Sequence, residues 1–153
     1  ITPLIKTARQ VNDSQPHFVI DWLTRILGPL NGRKVAALGL AFKPDVDDLR
    51  ESPAIEIAHL LHQTGAQVAC FDPFKPDAEL PGLKTCQTIE AAIAEAEIVM
   101  MLVGHAQLRG LDPMALREQT TARIAVDMVN GWQPAAWQAA GFDLHRLGVG
   151  HRG

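Results

Sequence analysis

The chain has 153 residues and a mass of 16.6 kDa, which corresponds to one ordinary domain. Hydrophobic residues make up 47% and charged residues 20% of the sequence, a balance that is typical of globular proteins and excludes extensive intrinsic disorder. The formal net charge is −3 and no apolar run approaches the roughly 18 residues of a membrane span, so we expect neither nucleic acid nor a membrane as a partner.

The chain opens with a pattern of two helices. Residues 2–12 place apolar side chains at helical spacing, and the sequence begins inside this helix without an initiator methionine, which we interpret as part of a longer protein. Capping residues at 12–14 and Pro16 predict the start of a second helix, which Gly28 ends. We therefore expect residues 1–31 to form a helical segment ahead of the main domain.

From residue 34 onward, short apolar runs alternate with helical patterns. The predicted strands are residues 34–40, 67–72, 98–103, 124–128 and 142–147. The predicted helices begin at Pro53, Thr88, Pro113 and Pro134. This alternation predicts an α/β fold over residues 32–153: a doubly wound, mostly parallel, Rossmann-like sheet with helices on both faces. In such a sheet, ligands bind beyond the carboxyl ends of the strands.

The loop after the first predicted strand, residues 39–53, carries the side chains best suited to bind a ligand. Phe42 can pack on a flat base, and Lys43 and Arg50 can meet a phosphate or a carboxylate near a helix N-terminus. The alternative is a solvated loop in which Arg50 pairs with a neighbouring acid. Those neighbouring acids are Asp47, Asp48 and Glu51. Composition alone favours this alternative.

The same loop lacks the glycine-rich motif of dinucleotide-binding domains. Gly39 stands alone where such domains have G-x-G-x-x-G, which lets the backbone approach a pyrophosphate. Asp72 ends the second predicted strand about 30 residues beyond Gly39, whereas the ribose-binding acid normally follows at about 20. The sequence therefore indicates the shape of a dinucleotide binder without its motif, and Asp72 is interpreted as a loop-capping residue.

No catalytic residue and no metal site are predicted. Cys70 lies in the middle of a strand, which indicates a buried small hydrophobic residue, and Cys86 has no basic partner nearby in sequence. Two cysteines are too few for a disulfide framework and favour a reducing, cytoplasmic compartment. No histidine pair has ligand spacing supported by a cysteine or a carboxylate, so no metal ion is expected.

The three tryptophans are interpreted as core or interface residues. They are Trp22, Trp132 and Trp137. Trp132 follows Asn130 and Gly131 just beyond the end of a predicted strand. It is therefore the one tryptophan that we expect at the ligand-binding edge of the sheet.

The run Gly-Leu-Ala-Phe-Lys-Pro-Asp-Val-Asp-Asp-Leu-Arg-Glu-Ser-Pro at residues 39–53 resembles the signature of the UDP-glucose/GDP-mannose dehydrogenase family, in its C-terminal UDP-binding domain. Residues 8–16 look like the end of that family's central dimerisation region, and residues 71–73 and 99–103 are similar to the family at its second and third strands. Within the family, residues 102–107 are most similar to the branch that acts on UDP-N-acetylmannosamine.

The resemblance implies an enzyme of three parts that oxidises the C6 alcohol of a UDP-sugar in two NAD-dependent steps. An N-terminal Rossmann domain binds NAD, a central helical region forms a homodimer, and the C-terminal domain closes over the UDP-sugar. A cysteine outside the C-terminal domain is the nucleophile. This chain resembles only the end of the central region and the C-terminal domain. We therefore expect the NAD-binding domain to be absent from it and the chain alone to be inactive.

The resemblance also implies roles for individual residues. Phe42 and Lys43 match the pair that contacts the UDP-sugar, and Arg50 matches the arginine that reaches towards NAD. Trp132 follows Gly131 where UDP-glucose members have a substrate-binding arginine, so Trp132 either replaces that contact by stacking or packs in the core. Two other hypotheses stay open: a stand-alone, non-catalytic nucleotide-binding or assembly module, and a self-contained small Rossmann-like enzyme, which the missing glycine motif disfavours.

Overall fold

The computed structural model describes residues 16–147, and the helix predicted over residues 2–12 lies outside them. Residues 16–27 are helical and form α1. Gly28 ends this helix with a φ of 82°, a conformation that glycine adopts without steric cost, and its N–H donates to the Thr24 carbonyl over 2.9 Å. The second predicted helix and its end at Gly28 are therefore confirmed.

Within residues 16–147, six parallel strands form one sheet in the order β3-β2-β1-β4-β5-β6. The strands are β1 (Lys34–Leu38), β2 (Gln67–Phe71), β3 (Lys84–Thr85), β4 (Ile98–Met101), β5 (Ile124–Asp127) and β6 (Asp143–Arg146). Strand order reverses between β1 and β4, which is the topological switch point of a doubly wound sheet. The predicted α/β fold class is confirmed, with β3 as a strand that the sequence pattern did not predict.

In the described part of the chain, five more helices lie between the strands. They are α2 (Pro53–Gln63), α3 (Ile89–Ile93), α4 (Ala106–Arg109), α5 (Pro113–Arg117) and α6 (Pro134–Ala139). Ser52 caps α2 as predicted, because its hydroxyl accepts the Ala54 N–H over 3.2 Å and Pro53 occupies the first turn. α4 was not predicted, since a single turn leaves no helical period in the sequence.

The core lies on both faces of the sheet, which is why the strands read as continuous apolar runs. On one face, Val19, Trp22 and Leu23 of α1 are buried in the same apolar cluster as α2 and the central strands. Each such buried side chain contributes about 1.5–3 kcal/mol of transfer free energy. α1 is therefore part of the core of the α/β domain, although the sequence assigned it to a preceding helical segment.

Both cysteines are buried core residues. Cys70 on β2 is fully buried, and burial, with a smaller effect of nearby Cys86, raises the pKa of its thiol to about 12. A thiol with such a pKa is a poor nucleophile, which confirms the interpretation of Cys70 as a small hydrophobic residue. Between residues 16 and 147, no three His, Cys, Asp or Glu side chains form a group suited to a metal ion. No helix in the same range combines the length and the hydrophobicity needed to cross a membrane.

Candidate functional site

Buried polar side chains gather where the parallel strands end, at the carboxyl edge of the sheet. Asp72 follows β2, His105 follows β4 by a few residues, and Asp127 ends β5, and all three are buried. Burying a charged or ionisable group costs free energy unless the group is hydrogen-bonded, so we expect each of these three side chains to have hydrogen-bond partners. The loop between β1 and α2, residues 39–52 (hereafter the β1–α2 loop), lies at this edge.

Gly39 brings the ends of β1 and β4 into close contact at the switch point. Its φ is 93°, and a Cβ at this position would lie 2.8 Å from the Val103 backbone nitrogen. In dinucleotide-binding domains this crevice is where the pyrophosphate lies. Here the ends of β1 and β4 approach so closely that a side chain at residue 39 would overlap Val103. The interpretation of a Rossmann-like shape without the dinucleotide motif agrees with this geometry.

Asp72 is a four-fold hydrogen-bond acceptor at the centre of the edge. Its Oδ2 accepts the N–H groups of Leu40 and Ala41 over 2.7 and 3.0 Å and lies 2.9 Å from His105 Nε2. Its Oδ1 accepts the Phe74 N–H over 2.8 Å. The loop-capping interpretation of Asp72 is confirmed. The carboxylate joins the chain segments after β2, β1 and β4.

His105 joins that cluster to the tip of the β1–α2 loop. The Asp45 N–H donates to His105 Nδ1 over 2.8 Å, and the Asp45 carboxylate accepts the Ala106 N–H over 2.8 Å. Asp45 has a φ of 61°, which is uncommon for a residue with a side chain and has to be held by its surroundings. The two bonds supply that hold.

Further hydrogen bonds close the β1–α2 loop on itself. The buried Ser52 hydroxyl donates to the Ala41 carbonyl over 3.1 Å, and the Phe42 N–H donates to the Asp48 carbonyl over 2.8 Å. The loop is thus ordered before any ligand arrives, which lowers the entropy cost of binding.

The predicted pair Phe42 and Lys43 lies together on the outer surface of this ordered loop. Phe42 is 55% exposed, which is unusual for a large apolar side chain, and Lys43 is also exposed. Within residues 16–147, Lys43 makes no ion pair. An open apolar ring beside an unpaired ammonium group can receive a ligand that is both flat and anionic.

Several open depressions adjoin the β1–α2 loop. One of about 520 Å³ lies between the end of the loop and α2 and is lined by Leu49, Glu51, Ser52, Ile55, Glu56 and His59. Two more are also lined by residues of the loop. The first has a volume of about 300 Å³ and is lined by Phe42, Asp48, Arg50 and Glu51. The second has a volume of about 610 Å³ and is lined by Pro44, Asp45, Gly104, Ala106, Arg109, Gly110, Gly131 and Gln133. A cavity of about 150 Å³ at the opposite edge is better enclosed, but it lies at the strand beginnings, where doubly wound sheets do not bind ligands.

Arg50 pairs with Asp48, as the alternative interpretation of the loop predicted. The guanidinium forms a fork on the carboxylate, with Nε 3.0 Å from Oδ1 and one terminal nitrogen 3.0 Å from Oδ2. The Arg50 side chain is 88% exposed, and an exposed ion pair is weak enough to exchange for a phosphate. The structure thus places Arg50 beside Phe42, and its contact with NAD stays a prediction.

We expect the Asp48 carboxyl to titrate at about pH 2. The Arg50 side chain and then the Arg50 backbone N–H donate to it and lower its pKa to about 2, so the pair is intact above about pH 4 and is lost as the pH falls through 2. Carboxyl NMR measures this titration directly. Arg50→Ala should raise the midpoint towards the ordinary value of about 3.9, whereas Arg109→Ala should leave it unchanged. A normal midpoint in the unaltered chain would contradict the pairing.

Trp132 does not face a ligand, and the structure corrects the substrate contact predicted for it. The side chain is 3% exposed and stacks on Trp137 with ring centroids 3.9 Å apart. Its indole N–H donates to the Leu108 carbonyl over 2.9 Å. The Asp127 carboxylate accepts the Trp132 backbone N–H over 2.8 Å, which turns the chain back towards the core directly after β5. Of the two roles left open for Trp132, the structure supports packing.

The fold and its carboxyl edge together define a ligand-binding, doubly wound α/β domain. Residues 36–134 match the model of the UDP-glucose/GDP-mannose dehydrogenase family, UDP binding domain, and the chain belongs to this family.

Similar proteins are nucleotide-sugar dehydrogenases by name. The NDP-N-acetyl-D-galactosaminuronic acid dehydrogenase of Ralstonia nicotianae is 39% identical over 132 residues, which cover 84% of this chain and 30% of the relative. The UDP-N-acetyl-D-mannosamine dehydrogenase of Salmonella typhimurium is 37% identical over 141 residues, which cover 85% of this chain and 33% of the relative. This chain therefore spans about a third of the length of these relatives.

Solved structures agree with the fold. The UDP-N-acetyl-mannosamine dehydrogenase from Staphylococcus aureus superposes with a TM-score of 0.75 at 30% identity, covering 94% of this chain and 33% of that one. The NDP-N-acetyl-D-galactosaminuronic acid dehydrogenase from Methanosarcina mazei Go1 has a TM-score of 0.81 at 26% identity, covering 95% and 32%.

Proposed function

We propose that this chain is the UDP-binding part of a nucleotide-sugar dehydrogenase that oxidises the C6 alcohol of a UDP-hexose to a uronic acid in two NAD-dependent steps. The membership of the chain in the family supports this proposal. The names of the Salmonella and Staphylococcus relatives favour UDP-N-acetylmannosamine as the sugar nucleotide. The observation that carries the proposal is the ordered β1–α2 loop, which presents Phe42 and Lys43 to solvent.

Phe42 and Lys43 have complementary roles in this proposal. The exposed ring of Phe42 packs against the uracil base, because a flat apolar surface gains dispersion and stacking energy there. The Lys43 ammonium is a compact positive charge that binds the diphosphate without requiring a fixed planar geometry. Ser52 and Asp72 place both residues by closing the base of the loop.

NAD binds mainly to another domain of the whole protein in this proposal. This sheet has a lone Gly39 in place of the glycine-rich motif that binds a dinucleotide, so no step of hydride transfer is assigned to it. Arg50 is the residue proposed to contact NAD across the interface between this domain and the NAD-binding domain. There its guanidinium can leave Asp48 and bind the pyrophosphate of NAD instead. The nucleophile also lies elsewhere, because Cys70 and Cys86 are buried. NAD reduction by this chain alone would contradict this division of roles.

The whole protein is proposed to be a cytoplasmic homodimer, with residues 1–31 as the end of a central dimerisation region. Within the described part of that segment, α1 packs on the α/β core through Val19 and Leu23, yet Phe18 on the same helix is half exposed. An exposed phenylalanine beside a buried helix face suits contact with a further helix.

Replacing Lys43 with alanine is expected to weaken UDP binding by about tenfold or more, because a charged hydrogen bond to phosphate contributes about 1.5–3 kcal/mol. Isothermal titration calorimetry of the 153-residue chain with UDP at fixed pH measures this effect. Lys84→Ala is the matched control, since Lys84 is an exposed lysine that lines the cavity at the opposite edge. Equal affinities for the unaltered chain and Lys43→Ala, or no saturable binding by the unaltered chain, would refute the proposal.

A further inference from the structure

His105 is a fully buried ionisable residue whose two ring nitrogens have different partners. The Asp45 backbone N–H lies 2.8 Å from Nδ1, and Asp72 Oδ2 lies 2.9 Å from Nε2. A backbone amide can only donate, so Nδ1 has to be an unprotonated acceptor. The proton of the neutral ring is therefore on Nε2 and is donated to Asp72. One tautomer of one charge state satisfies both contacts.

This tautomer connects the rigid part of the edge to the tip of the β1–α2 loop. Asp72 holds the start of the loop through Leu40 and Ala41. His105 extends that hold to Asp45, which lies two residues after Lys43 and has a φ of 61°. A backbone in this region persists only where its contacts fix it. The bond to Nδ1 is one of the two hydrogen bonds that fix Asp45, the other being the bond from the Ala106 N–H to the Asp45 carboxylate, and it is the one that involves an ionisable group.

We propose that His105 is a positioning residue that places Phe42 and Lys43 for the ligand only while its imidazole is neutral. The identity of that ligand as a UDP-sugar rests on the proposed function above. When the ring takes up a second proton, Nδ1 becomes a donor facing the Asp45 N–H. That contact turns repulsive, the tip is released, and the affinity for the ligand falls on acidification.

Of the two hydrogen bonds made by the His105 ring, the one between Nδ1 and the Asp45 N–H is the one that protonation breaks. Charged residues lie on each segment near the ring. They are Asp72, Lys75, Asp77 and Glu79 after β2, Lys43, Asp45, Asp47, Asp48, Arg50 and Glu51 in the β1–α2 loop, and Arg109 on α4. Among the residues from 16 to 147, Asp72 is the charged side chain hydrogen-bonded to the ring. Asp72 accepts a hydrogen bond from the Nε2–H in both charge states, so its contact persists. The Phe74 ring, 4.9 Å away, covers the imidazole without bonding to it.

Two substitutions separate the two nitrogens of His105. In His105→Asn, the side-chain oxygen takes the place of Nδ1 and accepts the Asp45 N–H, but the contact with Asp72 is lost. In His105→Gln, the side-chain amide takes the place of Nε2 and donates to Asp72, but Asp45 has no acceptor. Neither side chain titrates, so both remove the pH dependence while only one keeps the loop tip in place.

The test combines hydrogen exchange of the Asp45 amide with binding of UDP-glucose, both measured at neutral pH and at a series of more acidic pH values. UDP-glucose is the probe because it has no terminal phosphate that titrates near pH 6. At neutral pH, His105→Gln should speed exchange of the Asp45 amide and weaken binding by about tenfold, the loss of one hydrogen bond, and His105→Asn should change both by less than about threefold. The unaltered chain should lose affinity at the acidic end, and His105→Asn should not.

Equal effects of the two substitutions, or the same acid-induced loss of affinity in His105→Asn as in the unaltered chain, would overturn the proposal. If either variant fails to fold, nitrogen NMR of the unaltered chain decides, because a protonated Nδ1 at neutral pH contradicts the assigned tautomer. Absence of UDP-glucose binding by the unaltered chain would refute the proposed function instead, and the Asp45 exchange rates would still test the role of His105.

Discussion

Replacing Asp72 with alanine is expected to lower the free energy of unfolding by about 3–5 kcal/mol, a loss typical of breaking a buried polar network. The carboxylate is 1% exposed and accepts hydrogen bonds from three backbone N–H groups and from His105. Alanine leaves these donors buried without an acceptor, and each unsatisfied donor costs about 1–3 kcal/mol before the structure relaxes. Urea unfolding followed by tryptophan fluorescence measures the change.

Asp112→Ala is the matched control for Asp72. The Asp112 carboxylate also caps a chain segment, since it accepts the Met114 N–H over 3.0 Å, but the residue is exposed. Its removal should cost about 1 kcal/mol, as for an ordinary helix cap. The loss of unfolding free energy for Asp72→Asn should lie between these two values. Asparagine keeps the shape of aspartate, but its NH2 group cannot accept a hydrogen bond from the N–H groups that it would face. A loss for Asp72→Ala no larger than that for Asp112→Ala would show that the cluster does not organise the edge.

Replacing Gly39 with alanine is expected to lower the free energy of unfolding by about 2–4 kcal/mol, through backbone strain and steric overlap acting together. The added Cβ would lie 2.8 Å from the Val103 nitrogen and 2.9 Å from the Val103 Cβ. These atoms belong to the backbone and first side-chain carbon, so no flexible group can move aside. Relief requires that the ends of β1 and β4 separate, which also displaces the β1–α2 loop.

Gly82→Ala separates the two causes. Gly82 has a φ of 80°, close to the 93° of Gly39, but a Cβ there would meet nothing within 4 Å. This substitution should cost only the backbone part, about 1–2 kcal/mol. The difference between the two variants in urea unfolding then measures the contact with Val103. Equal losses would mean that the ends of β1 and β4 are not packed as described.

The α/β fold could be predicted because buried parallel strands require continuous apolar runs. Ile98–Met101 is fully buried and is such an apolar run. The start of α2 could be predicted because serine is a favoured helix cap and proline is favoured in the first helical turn, as at Ser52 and Pro53. The strand predicted to end at residue 40 ends at Leu38 instead, because the positive φ of Gly39 breaks the extended backbone. β3 has two residues and is too short for any period to be visible.

The exposed half of the candidate site could be predicted, and the buried half could not. Phe42 and Lys43 belong to one contiguous motif, so the resemblance to the family identified them. His105 contacts Asp72 and Asp45, which lie 33 and 60 residues away in sequence, and no local pattern reports such contacts. The available signals were an aspartate at the end of one strand and a histidine just after another.

Trp132 follows the carboxyl end of a strand, where residues commonly face the ligand, yet it is buried because the residues after β5 turn back towards the core. The position after β5 correctly predicted the carboxyl edge, but two hydrogen bonds to the Asp127 carboxylate, from Val129 and Trp132, fold the segment back. The indole then finds a partner at Leu108 and a stacking surface on Trp137. Burial of a tryptophan with a satisfied N–H is more favourable than leaving its large apolar surface in water.

Titration of the isotope-labelled chain with UDP, followed through every backbone amide by NMR, tests directly whether UDP binds at the β1–α2 loop. We expect saturable shifts that are largest in residues 41–51, next to Phe42 and Lys43, and small shifts at the opposite edge around Lys34 and Lys84. Shifts concentrated around Lys34 and Lys84, or no saturable shifts at all, would contradict the assignment of UDP binding to the β1–α2 loop.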